Sequence, residues 1–146
     1  SIGQYGFQVT PLQVVRAVGA IATDGKILTP TFIKNTGQPV ETKEVGLNPS
    51  DYKIVKEGMR QGVTEGTSQA INFPFVKVAS KTGTAQIGVA KDEVNSWVVG
   101  FWPYENPKYA YAVVMERGSK NNQFGAVLVM KEFLNWVSVY APNYLD

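Results

Sequence analysis

Lys81-Thr82-Gly83-Thr84 sits within Val78-Ala79-Ser80-Lys81-Thr82-Gly83-Thr84-Ala85-Gln86, a stretch otherwise patterned as extended chain. A lysine, two threonines and a glycine are a poor choice for filling a core, and the small residues leave a flat backbone that another molecule can approach. Lys81 supplies a fixed positive charge and Thr82 and Thr84 supply hydroxyls. Gly83 removes the side chain that would block a ligand laid along the strand. Such a strand can bind an extended, anionic, peptide-like substrate by edge pairing, and its N–H groups can meet a developing oxyanion. Taken alone the tripeptide is a weak signal: at average composition roughly 3% of chains this long carry it by chance. A lysine on an edge strand is also a common guard against aggregation.

Composition removes most other chemistries. The 146 residues include no His and no Cys, so a Ser-His-Asp arrangement, a Cys nucleophile, a disulfide and most zinc sites are excluded within the chain. Asp and Glu are scattered, with no pair spaced for a metal or for glycoside hydrolysis. The net charge is +2 without a basic block, which argues against a nucleic-acid partner. Charged residues make up 18% of the chain, below the average of about 25%, so a large buried fraction is expected. The longest apolar runs, Tyr109–Met115 and Phe124–Met130, are seven residues each, far short of the roughly 20 that a spanning helix needs. The chain starts at Ser1 without Met or a signal-like segment and is read as a piece of something longer.

The elements that must position the strand follow from patterning. Thr10-Pro11-Leu12-Gln13 forms a capping box with proline at the first helical position. The helix that follows runs to a stop at Gly25 and is apolar on nearly all sides, so it is expected to be central. Ile27–Lys34 reads as a short extended piece broken by Pro30, and Asn35–Val45 as polar turn. Asn48-Pro49-Ser50-Asp51 starts a second helix with Tyr52, Ile54, Val55, Met59 and Val63 as its buried stripe. Thr64-Glu65-Gly66-Thr67 is a turn that restarts one short helical turn through Ala70. Phe75–Gln86, Ser96–Trp102 and Tyr109–Met115 are three strands, the last two joined through Pro103–Pro107 and the first two by a charged loop, Ile87–Asn95, holding Lys91, Asp92 and Glu93. A closing helix over Asn122–Tyr140 offers Phe124, Val127, Leu128, Phe133, Leu134 and Val137 to cover the sheet. Two helices, three antiparallel strands and a helix imply an α+β fold. Trp97, Phe101, Trp102, Tyr109 and Tyr111 are read as sheet packing rather than a sugar platform, and Gln86 and Asn95 as candidates to border the cleft.

Ser1-Ile2-Gly3-Gln4, Val9-Thr10-Pro11-Leu12-Gln13, Glu65-Gly66-Thr67, Lys81-Thr82-Gly83-Thr84-Ala85-Gln86 and Trp97-Val98-Val99-Gly100-Phe101 follow one another in this order. In that order and approximate spacing the chain resembles the C-terminal part of the transpeptidase domain of class B penicillin-binding proteins, most closely the elongation type. The resemblance spans nearly the whole chain and is poorest over Asn35–Leu47. That family carries Ser-x-x-Lys, Ser-x-Asn and Lys-Thr-Gly; the first two are read as missing from this chain and are expected upstream of Ser1. Ser50-Asp51-Tyr52-Lys53 has the first spacing, but it lies at the exposed start of a capped helix and is read as a capping-turn serine. The nucleophilic serine is therefore expected in an upstream part of the same domain, which would be this chain's first partner.

The resemblance implies roles along the strand. Lys81 would hold a proton relay and the substrate carboxylate by charge, Thr82 would hydrogen-bond that carboxylate, and Gly83 would allow close approach. The N–H of Thr84 would form half of an oxyanion hole. It further implies a portion of the penicillin-binding and serine β-lactamase-like fold, D,D-transpeptidase chemistry through a serine acyl-enzyme, and no metal or other cofactor. Peptidoglycan stem peptides and β-lactams would be its ligands, with cell-elongation scaffold and glycan polymerase proteins as partners. The location would be the extracytoplasmic face of the membrane, through an anchor outside this chain, and the chain alone would be inactive. A β-lactam-sensing or inactive binding domain of the same fold, or a scaffold in which Lys-Thr-Gly is a mere edge strand, are the rival readings.

Overall fold

The protein is described here as a computed structural model covering residues 6–33, 37, 40–88, 92–121 and 124–146. The Ser1–Gln4 motif, Lys34, Asn35, Lys91 and the expected helix start at Asn122 lie outside the described residues. Helix α1 (Pro11–Ala22) begins on the capping box: Thr10 Oγ1 accepts from the Gln13 N–H at 3.2 Å, and Gln13 Oε1 accepts from the Thr10 N–H at 2.8 Å. It ends short of Gly25, because Asp24 and Gly25 turn left-handed and the Gly25 N–H closes on Ala20 O at 2.7 Å. Val18, Ala20 and Ala22 are buried while Leu12 and Ala17 are exposed, so only the second half of the helix is central within this chain.

Strand β1 (Lys26–Leu28) pairs antiparallel with β2 (Thr42–Glu44), which corrects the expectation of turn over Asn35–Val45. The three exposed residues of β2 carry no alternation to read, and beyond the ladder the Thr29 hydroxyl donates to the Glu41 carboxylate at 3.3 Å. Helix α2 (Pro49–Thr64) has Asn48 as its N-cap residue and buries Tyr52, Met59 and Val63. Ile54 and Val55 are exposed, contrary to the expected stripe: at 100° per residue Ile54 points away from the face that Tyr52, Met59 and Val63 share, and Val55 lies at the margin of that face. A 3-10 turn (Gln69–Ile71) follows, as the Thr64–Ala70 pattern predicts.

Strands β3 (Ala79–Ile87), β4 (Glu93–Trp102) and β5 (Tyr109–Ser119) form one antiparallel sheet in that order. β3 starts at Ala79 rather than Phe75: the ladder with β4 begins at the Ala79–Phe101 pair, and before it the chain is joined to the end of β4 by the Tyr104 N–H on Lys77 O at 2.8 Å. β4 and β5 run beyond their apolar segments, so Glu93 is strand rather than loop and pairs with Ser119. Backbone ladders do not require apolar side chains, and the pattern therefore underestimates their length.

Helices cover both faces, giving the expected α+β layering. On one face Ala79 and Phe101 pack with Val18 and Ala22 of α1 and Met59 of α2. On the other, Val98, Trp102 and Tyr111 meet Ala126, Met130, Leu134 and Val137 of helix α3 (Ala126–Tyr140). Phe124 and Phe133 were expected on that buried face but are exposed. Phe124 precedes α3, which starts at Ala126 rather than Asn122, and the apolar surface of the helix is wider than the stripe of Ala126, Met130, Leu134 and Val137 that meets the sheet, so Phe133 falls outside it. Each fully buried large side chain, such as Phe101 or Leu134, contributes about 1.5–3 kcal/mol. Among the described residues no helix is long and apolar enough to cross a membrane.

Candidate active site

β3 is an edge strand, and its outer side is unpaired among the described residues. In an antiparallel strand the N–H and C=O of one residue point the same way, and successive residues alternate. Three contacts fix which residues face outward. Val78 O accepts from Arg60 Nη1 at 2.9 Å, Thr82 O accepts from Lys81 Nζ at 2.7 Å, and Ser80 O lies against Gly62, where an added Cβ would stand 2.7 Å from it. Even-numbered residues therefore turn their peptide groups away from β4, and by the same alternation the Thr84 N–H faces the open edge. Lys81 and Gly83 give their peptide groups to the ladder.

Helix α2 covers the Val78–Ser80 end of this edge, and from Lys81 onward the edge is open. Lys81, Gly83 and Thr84 are exposed and Thr82 is half-buried. The Lys81 ammonium folds back over the outer edge onto the Thr82 carbonyl. No carboxylate pairs with it among the described residues. Lys77 by contrast is engaged with Glu105, whose carboxyl that hydrogen bond holds below its ordinary value of 4.5. The edge thus presents an uncompensated cation, a hydroxyl and an outward N–H within four consecutive residues, a set suited to a carboxylate and a developing oxyanion.

Other residues that shape this edge are not singled out by sequence patterning. Thr67 Oγ1 lies 2.6 Å from Thr82 Oγ1, and the buried Ser68 Oγ lies 3.1 Å from the buried Ser80 Oγ. The sequence marks Glu65-Gly66-Thr67 as a turn and as one of the motifs of the family resemblance, with nothing to pair it to a strand fifteen residues on. Gly62 is needed because any side chain there would meet the Ser80 carbonyl. Tyr111 crosses over Gly100, its hydroxyl buried close to that of Ser80 but without a well-formed hydrogen bond among the described residues. Burial pushes that hydroxyl well above its ordinary pKa of 10.0, the Ser80 hydroxyl opposing to a smaller degree.

Of the remaining candidates, Ser50 sits exposed in the first turn of α2, and Lys53 faces Glu57 at 3.9 Å. Ser119-Lys120-Asn121 has the Ser-x-Asn spacing, but it follows Lys81 in the chain, and the Asn121 N–H bonds the Ser119 hydroxyl at 3.3 Å as a local turn. Asn95 is taken up by structure: its Oδ1 accepts the Arg117 N–H at 3.0 Å beside an irregularity in the β4–β5 register. Gln86 is exposed on β3. Phe101, Trp102 and Tyr111 are buried in the sheet layers, and Trp102 packs against Tyr109 and Tyr111. A pocket of mixed polarity includes Thr84 and is lined also by Val94, Ser96, Met115, Ser119 and Lys120.

A sheet between helices with this edge is the architecture that the motif order pointed to, and comparison with known families assigns it. The penicillin binding protein transpeptidase domain family matches residues 1–135, and the chain belongs to that family. The peptidoglycan D,D-transpeptidase MrdA of Acinetobacter baumannii is 30% identical over 98% of this chain. The chain spans 24% of that relative's length. Penicillin-binding protein PBP2 of Helicobacter pylori superposes with a TM-score of 0.74 at 31% identity, over 96% of this chain and 26% of that one. Penicillin-binding protein A of M. tuberculosis, solved as a ceftriaxone acyl-enzyme complex, gives a TM-score of 0.78 at 25% identity, over 96% of this chain and 34% of that one.

Proposed function

We propose that this chain is the C-terminal part of the transpeptidase domain of a serine-type peptidoglycan D,D-transpeptidase, contributing one wall of its active site. The observation that carries the reading is the open β3 edge, where the Lys81 ammonium, the Thr82 hydroxyl and the outward Thr84 N–H lie together. The upstream part of the domain supplies a serine that attacks the carbonyl of a D-alanyl-D-alanine terminus. The serine oxygen–carbon bond forms, the peptide C–N bond breaks, and D-alanine leaves with a proton on its nitrogen. A stem-peptide amine then takes the acyl group and restores the serine hydroxyl. Lys81 draws the substrate carboxylate by charge and holds the proton relay, and Thr82 donates to that carboxylate. The Thr84 N–H and the N–H of the serine itself stabilise the oxyanion. A β-lactam enters the same site by its carboxylate and carbonyl. The reaction needs no cofactor. Its setting is the extracytoplasmic face of the membrane, where stem peptides lie, with an anchor outside this chain. Elongation scaffold and glycan polymerase proteins are its partners.

The direct test is labelling with a fluorescent penicillin: the complete polypeptide is expected to label covalently and the isolated 146-residue chain is not. Covalent labelling of the isolated chain would refute a nucleophile supplied from elsewhere.

Gly83 separates ligand access from folding. A Cβ there would meet Trp97 Cβ at 3.6 Å, an ordinary contact, and Gly83 has no positive φ. The fold therefore does not require glycine at this position. Gly83→Ala is expected to leave stability unchanged or raise it by up to about 1 kcal/mol, while slowing penicillin acylation of the complete protein about tenfold by crowding the strand. Thermal melting and stopped-flow acylation check both halves, and unimpaired acylation would remove the access role.

A further inference from the structure

The turn between α2 and β3 is fastened to the active strand by two hydroxyl rungs. The lower rung is fully buried, Ser68 Oγ to Ser80 Oγ at 3.1 Å, and the Ser68 N–H also binds Gly62 O at 2.9 Å. That anchorage fixes the neighbouring residue, so the exposed Thr67 presents its hydroxyl to Thr82 at 2.6 Å. Ser80 and Thr82 point to one face of β3 by strand alternation, which is why adjacent turn residues can meet both.

A threonine hydroxyl has a single proton. If Thr82 spends it on Thr67, only lone pairs face an incoming carboxylate, which repels them. If Thr67 donates to Thr82, the Thr82 proton is free for the carboxylate, and the two bonds polarise one another in series. We infer that Thr67 is a positioning residue for carboxylate recognition, donating to Thr82 Oγ1 so that Thr82 presents its proton to the terminal carboxylate of the stem peptide or of a β-lactam. The inference rests on the function proposed above and adds to it a residue outside the Lys-Thr-Gly strand. Thr67 is exposed and does not belong to either core cluster, so its hydroxyl is not needed for packing.

The experiment uses the complete protein and a fluorescent penicillin, with concentration dependence resolved to separate the apparent binding constant from the limiting acylation rate. Thr67→Val keeps the shape and removes the proton. It is expected to lower acylation efficiency roughly tenfold or more, mainly through weaker binding of the antibiotic, with the melting temperature unchanged. Thr67→Ser restores the wild-type value. In a Thr82→Val background, Thr67→Val has no further effect, because the two act through one proton chain. Wild-type acylation in Thr67→Val, failure of Thr67→Ser to restore it, or losses that add in full with Thr82→Val would each overturn the inference. Lys81→Ala is the control: if it and Thr82→Val both acylate normally, the strand reading itself has failed. If they are impaired and Thr67→Val is not, only the role of Thr67 falls.

Discussion

In the complete protein, Lys81→Ala is expected to reduce the second-order rate constant for penicillin acylation by about 100-fold or more, the usual scale for removing a group that acts in proton transfer. Two losses combine. The alanine variant lacks the cation that draws a carboxylate to the β3 edge, and it lacks the donor that steadies the proton relay. The strand itself offers no replacement, since Thr82, Gly83 and Thr84 follow directly, and the cation of Lys120 lines the pocket at Thr84 rather than the strand. Lys81 is exposed and in no ion pair among the described residues, so the substitution should move stability by no more than about 0.5 kcal/mol. Lys81→Arg retains charge but replaces a compact ammonium with a planar fork, and should recover only part of the rate. Stopped-flow acylation together with thermal melting decides the matter. A Lys81→Ala protein that acylates within twofold of wild type would leave Lys81 as an edge guard.

The second large effect concerns a main-chain atom. Thr84→Pro removes the outward N–H and is expected to slow acylation by about 10²–10³, the scale for loss of one oxyanion donor. Proline is tolerable here because Thr84 points its N–H away from β4, so no ladder bond is lost. The restriction proline places on the preceding residue favours extended chain, which Gly83 already adopts within β3. Thr84→Val, which keeps the N–H and removes only the hydroxyl, should acylate nearly as wild type. The pair of variants therefore assigns any loss to backbone or side chain. A Thr84→Pro protein with a wild-type melting temperature and a wild-type acylation rate would exclude an oxyanion role for this nitrogen.

Local chemistry was readable where the cause is local. The Thr10–Gln13 capping box, the stop near Gly25, the start of α2 at Asn48-Pro49 and the presence of all three strands follow from residues within a few positions of one another. The ends of β4 and β5 were underestimated because backbone pairing continues through Glu93 and Ser119, where side-chain alternation stops. Phe124 is exposed because it precedes α3, and Phe133 because the apolar surface of that helix is wider than the stripe of Ala126, Met130, Leu134 and Val137 that meets the sheet. β2 was missed because three exposed residues have no alternation at all.

By itself the sequence determined the family, the α+β element order and the strand that carries Lys81, Thr82, Gly83 and Thr84, because motif order and periodicity are properties of the chain as written. Only the tertiary structure decided which side of that strand is open. Strand patterning places Thr82 and Thr84 on one face without saying toward which edge their peptide groups turn. The contacts of Arg60, Gly62 and the Lys81 ammonium with the alternate carbonyls of Val78, Ser80 and Thr82 settle this. The approach of Thr67 to Thr82 belongs to the same class: it depends on where a helix end lies against a sheet edge, a geometry set by packing of Met59, Val63 and Ser68 rather than by any residue pattern.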